Sequence, residues 1–136
     1  MFTKTDTITK YYQCLVGHFA ISTIVIFDED SHLASSVVGR APVVEEAKVG
    51  LIVCLMLTKV ALLIEFASIS IELPSIFRSL YSALSHTLAS CIFLLFIYDS
   101  HPPSYFWISF AVLSAPPCVL AVNDLMRAIS RRYKHQ

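Results

Sequence analysis

The chain has 136 residues, 56% of them hydrophobic and 15% charged, with ten basic residues balanced by ten acidic ones. Its mean hydropathy is positive, which excludes an ordinary soluble composition. The zero net charge, without a basic surface, excludes nucleic acid as a partner. A small polytopic membrane protein remains, and the informative quantity is where its few charges fall.

Residues 1–10 form a polar N-terminus carrying Lys4 and Lys10. Residues 11–27 read as a first span, short for a bilayer and interrupted by His18. A basic start before an apolar run also fits a signal peptide, but this run is longer than a usual hydrophobic region and ends in Asp28-Glu29-Asp30, so it is kept as a helix. Residues 28–48 form an extracytoplasmic loop, too short for a domain, whose Val-Val pairs allow a small ordered strap at most.

Residues 49–71 are the most apolar stretch and, at about 1.5 Å per residue, rise roughly 34 Å, enough to cross a hydrocarbon core of about 30 Å. Two ionisable residues, Lys59 and Glu65, lie inside it. A charge at that depth costs on the order of 3 kcal/mol even on a lenient scale, so each needs a partner, water or a proton. Six positions apart, they point about 120° away from one another and cannot serve each other. Glu65 shares its face with Thr58, Ser68 and Glu72, a polar stripe that should point inward.

A turn at 72–79 holds Pro74 and Arg78, and 80–98 form the third span, whose first half is lined by Ser82, Ser85, His86, Ala89 and Ser90. Small and polar residues at that spacing permit close helix approach and interhelical hydrogen bonds. After a turn at 99–104 comes the fourth span, 105–122, opening on aromatic residues suited to the headgroup level and interrupted by Pro116 and Pro117. Neither proline has an N–H, so the carbonyls of Val112 and Leu113 lose helical partners and a kink is expected. A basic tail, 123–136, closes the chain.

The expected fold is an all-α, four-span transmembrane helix bundle with cytoplasmic N- and C-termini. Lys4, Lys10, Arg78 and the four basic residues of the tail share one side, against Arg40 and Lys48 on the other. In that orientation His18, Glu65, His86 and Pro116 all lie about 9–10 Å from the cytoplasmic ends of their spans. This depth match predicts a structural polar cluster of His18, Glu65 and His86, with the carbonyls freed by Pro116 and Pro117 accepting a further bond. Cys14, His18 and Ser22, beside Gly17, form the inward face of the first span. The competing reading has each group tolerated separately through water defects or snorkelling. Lys59 stands apart, as a contact for a second protein or for inward water.

The four cysteines, at 14, 54, 91 and 118, fall in different apolar runs without C-x-x-C spacing, and read as small buried apolar residues rather than disulfides or metal ligands. No nucleophile paired with a base, no metal spacing and no phosphate loop is present, so no enzyme and no cofactor is expected.

The order of Gly17-His18-Phe19, Ile64-Glu65-Phe66-Ala67, Ser85-His86, Tyr105-Phe106-Trp107 and Ser114-Ala115-Pro116-Pro117, with an acidic loop and a basic tail, resembles the transmembrane protein 107 family over nearly the whole chain. Lys59 and the second proline depart from the family pattern. The resemblance implies a tetraspan protein of the ciliary transition zone, in the Meckel syndrome module, that helps localise other membrane components of the ciliary gate. Its partners are then other transition-zone membrane proteins, met through helix faces, and the lipid bilayer, with a homo-oligomer left open. The alternatives are a small oligomeric proton-coupled transporter using Glu65 and a lipid-modifying enzyme, for which the interface holds too few polar groups.

Overall fold

Two of the helices begin where a side chain satisfies their first amides. In the computed structural model, which describes residues 3–27, 41–99 and 104–134, α1 spans Lys4–Phe27. Thr3 caps it: the Asp6 amide donates to Thr3 Oγ1 at 3.2 Å while the Thr3 amide donates to Asp6 Oδ2 at 3.2 Å, a reciprocal capping box with Asp in the third position. The Thr3 hydroxyl and amide hold the Asp6 carboxyl below the usual carboxylate range.

Helix α2 covers Ala41–Ile71, starting well before the apolar run. The expected loop therefore shortens at its C-terminal end, and residues 28–40 lie outside the described residues. Pro42 sits in the first turn, where a missing N–H costs nothing, and Glu45-Glu46-Ala47-Lys48 are strong helix formers. Pro74 lies in the break after α2, and Ser75 caps α3, Ile76–Asp99, its Oγ accepting from the Arg78 amide at 3.3 Å.

The fourth helix, α4, runs from Ser104 to Tyr133, so most of the tail is helical rather than separate. It is α-helical over Ser104–Ser109, π-helical over Phe110–Ser114 and α-helical again over Ala115–Tyr133. The Ala115 amide bonds to the Phe110 carbonyl, and this one-residue widening places Pro116 and Pro117 in a fresh first turn. The double proline is thus absorbed by a π turn.

Among the described residues, the helices pack α1 on α3, α1 on α2, α2 on α4 and α4 on α3. The ring order is therefore α1, α2, α4, α3, and the consecutive helices α2 and α3 face each other across the middle. Three of the four, α2, α3 and α4, are long and apolar enough to cross a membrane. The α1 helix is less apolar because His18, Ser22 and Thr7 occupy its buried face.

One end of the bundle is filled by Val25, Leu51, Leu55, Phe93, Phe96 and Phe106, with the Phe96 and Phe106 rings edge to face at 4.3 Å. The other end is held by charges. Arg78, 7% exposed, pairs with Asp124 of α4, 29% exposed, and donates to Ser68 Oγ at 3.1 Å. Just past the end of α2, Glu72 receives Arg131 of α4, whose Nη2 bonds both carboxylate oxygens at 2.6 Å.

The unequal exposure of the Arg78–Asp124 pair sets an asymmetry. Asp124→Leu leaves a buried guanidinium uncompensated and should destabilise the bundle by about 3–5 kcal/mol. Arg78→Met leaves a carboxylate that water can reach and should cost clearly less. Unfolding of purified variants in a denaturing-detergent titration measures both; the reverse order would show that Asp124, not Arg78, is the dependent partner.

Candidate functional site

The buried positions of α1 recur at Thr7, Tyr11, Leu15, His18, Ser22 and Val25, the three-and-four spacing of one helix face. In α2 the predicted polar stripe is buried at Thr58, Glu65 and Ser68. In α3 the buried polar positions are Ser79, Ser82, Ser85 and His86. The three faces converge on the bundle axis.

There the side chains form one continuous hydrogen-bonded relay. The Tyr11 hydroxyl donates to Glu65 Oε2 at 2.6 Å. His86 Nε2 lies 3.0 Å from the same oxygen, and His86 Nδ1 lies 3.0 Å from His18 Nδ1. Tyr11, His18, Glu65 and His86 are all fully buried. The rings also stack: Tyr11 and His86 are nearly parallel with centroids 6.2 Å apart, and His18 meets Phe93 edge to face at 5.2 Å.

With Glu65 as a carboxylate, the bonds set where the protons lie. Glu65 Oε2 accepts twice, so Tyr11 gives its hydroxyl hydrogen and His86 gives its Nε2–H. Neutral His86 then presents a lone pair at Nδ1, which receives His18 Nδ1–H. His18 Nε2 is left as a bare acceptor, and Glu65 Oε1 is likewise unbonded. A second proton on His86 would make its Nδ1 a donor, move the His18 proton to Nε2 and bury an unpaired N–H there instead.

The structure thus brings together His18, Glu65 and His86. It adds Tyr11, to which the sequence assigned no role beyond the start of the first span; the available signal was its seven-residue separation from His18, two helical turns on the same face. Pro116 and Pro117 contribute no hydrogen bond to the relay among the described residues, because neither histidine reaches an α4 carbonyl. Gly17 has open space where a side chain would stand, so it is not a point of close helix approach.

Lys59, assigned from sequence to a second protein or to inward water, makes contacts within the chain. Its ammonium donates to Thr23 Oγ1 of α1 and lies 4.1 Å from the centre of the Phe19 ring. All four cysteines are free; Cys54 is buried, whereas Cys91 is exposed on the outside of α3, against the expectation that each would be interior. Cys14 Sγ instead meets Thr87 Oγ1 at 3.3 Å across the α1–α3 contact. Among the described residues no group of three or more His, Cys, Asp or Glu side chains is arranged to hold a metal ion.

A family model described as a transmembrane protein, TMEM107, matches residues 7–125. No curated protein and no solved structure matches the chain.

Because one oxygen receives two donors, the relay should respond as a unit. Glu65→Gln retains an acceptor for Tyr11 or His86 and should keep most of the stability, while Glu65→Leu strands both donors at about 1–3 kcal/mol each. Tyr11→Phe should destabilise the parent protein yet be neutral or helpful on the Glu65→Leu background. A double-mutant cycle in detergent measures this, and additive effects would mean that the two side chains do not share a bond.

Proposed function

This chain belongs to the TMEM107 family of transmembrane proteins, and from that membership and the packing above we propose that it is a polytopic scaffold of the ciliary transition zone. In this reading all four helices cross the membrane, both termini are cytoplasmic, and α1 is the least apolar span because it delivers the relay's polar groups. The protein helps to assemble or localise other membrane components of the ciliary gate, and so supports cilium assembly and the composition of the ciliary membrane. It does so without catalysing a reaction and without a cofactor.

The observation that carries the proposal is the division between inside and outside. Glu65, His18, His86, Lys59 and Arg78 all bond within the bundle, whereas Val60, Leu63, Leu84, Leu95 and Val119 are exposed on its flanks. A bundle whose polar chemistry is turned inward offers partners its helix faces, and partner choice in lipid then rests on shape and small residues. Other transition-zone membrane proteins, the bilayer itself or a second copy of the chain are the surfaces such faces meet.

A transporter reading draws on one observation, the four titratable side chains joined end to end. Against it, the relay stops at His18 Nε2, which has no onward partner. Reconstituted vesicles should therefore show no substrate-linked pH change, with Glu65→Gln indistinguishable from the parent; a change abolished by Glu65→Gln would make the chain a transporter.

In ciliated cells a fluorescently tagged chain should concentrate at the ciliary base, and a cytoplasm-restricted protease should remove tags from both ends. Signal spread evenly over the plasma membrane would overturn the transition-zone assignment. Protection of one terminus would overturn the four-span topology.

A further inference from the structure

The relay leaves one feature of the fold unused. On the side of the bundle where α3 meets the first half of α4 there is a cavity of about 320 Å³, walled by Ile92, Phe96, Phe106 and Leu113, with Ser109 and Val112 also lining it. That volume is at the small end of ligand sites, and the lining is almost wholly apolar, as such sites usually are.

Two polar groups in this wall lack partners. Ser109 is 3% exposed, and its hydroxyl makes no hydrogen bond. Several helical hydroxyls fold back on the preceding turn: Thr58 bonds the Cys54 carbonyl, Ser70 that of Phe66 and Thr87 that of Ala83, while Ser82 Oγ on α3 is, like Ser109, unbonded. The second group is the Val112 carbonyl. In α-helical register its donor would be residue 116 and in π-helical register residue 117, and both are proline. The amide of residue 115, three positions on, is bonded to Phe110. The carbonyl is therefore without a backbone donor on every count.

We propose that this cavity is a binding site for a membrane sterol. An unpaired hydroxyl donor set in an apolar wall matches a ligand that carries a single hydroxyl, which accepts from Ser109. No charged side chain lines the cavity, so a phosphate headgroup has no counter-charge there. One cleft walled by Phe96 and Phe106 suits a flat, rigid ring system better than a pair of acyl chains. Ser109 lies five residues into α4, about 7.5 Å along the axis from its start, near the level at which a hydroxyl anchored at the membrane interface would lie. The exposed rim residues Leu95, Ile108 and Val112 open toward lipid, which provides a route for entry.

The test uses the full chain in lipid nanodiscs with a photoreactive, ring-labelled sterol, and maps the labelled peptides. Labelling should fall on the facing stretches of α3 and α4. Unlabelled sterol should compete, and the same ring system without its hydroxyl should compete roughly five- to tenfold less well, the worth of one to two hydrogen bonds. Ser109→Ala should weaken sterol by a similar factor and narrow the difference between the two competitors. Leu113→Trp, which fills the cavity, should abolish labelling; if that variant does not fold, Ser109→Ala with the paired competitors decides alone. Labelling elsewhere, equal competition by the two sterol analogues on the parent chain, or displacement by ceramide as effective as by sterol would each overturn the proposal. None of these outcomes bears on transition-zone localisation.

Discussion

One oxygen atom, Glu65 Oε2, organises the bundle. It receives hydrogen bonds from Tyr11 on α1 and His86 on α3, so three helices are tied to one point on the axis. A carboxylate at that depth is expensive unless its hydration is replaced, and the replacement must come from donors the chain itself supplies. The apolar contacts of the bundle tolerate sliding and rotation, because lipid is as good a neighbour as leucine. A donor that leaves the Glu65 carboxylate loses a bond that lipid cannot replace, so the register and rotation of α1, α2 and α3 are specified by polar groups more than by apolar ones.

The ring order follows from the same constraint. Helices α2 and α3 are joined by a short turn and would ordinarily lie side by side, yet they contribute the two sides of a bond across the centre. Placing α1 between them on one flank and α4 on the other lets Tyr11 and His18 reach the axis. The α4 helix reaches it with no hydrogen bond, and is held instead at the charged end, where Asp124 covers Arg78 and Arg131 holds Glu72. The bundle is therefore fastened by two different devices: a neutral-donor relay in the middle and ion pairs at one end, where water can share the cost of the charges.

The relay was legible in the sequence to the extent that depth can be counted. Alternating helix direction and a fixed rise place His18, Glu65 and His86 in one slab, and the stripe of Thr58, Glu65 and Ser68 gives the direction in which α2 faces. Tyr11 was not legible, because a phenol at the edge of an apolar run has an ordinary interfacial explanation. The Arg78–Asp124 pair joins a turn to a tail across many residues, and no local pattern marks it. Helix ends were misplaced for a physical reason: hydropathy reports the hydrocarbon boundary, whereas capping by Thr3 and Ser75 and the helix-forming run before Val49 decide where the backbone stops being helical. The double proline was read as damage to a helix, and became instead the start of a new helical section behind a π turn.

That π turn and the relay divide the work between the two halves of the molecule. Around Glu65 the polar groups bond mainly to one another, and the atoms left over, Glu65 Oε1 and His18 Nε2, are sealed from the outside. Where they are left over, at Ser109 and Val112, the same accounting leaves a donor and an acceptor beside an open apolar cavity. Unmatched polar groups at membrane depth are costly wherever they occur. Beside the only part of α4 that departs from α-helical geometry the cost is tied to that departure: widening the helix by one residue accommodates two prolines and leaves the Val112 carbonyl without its backbone donor.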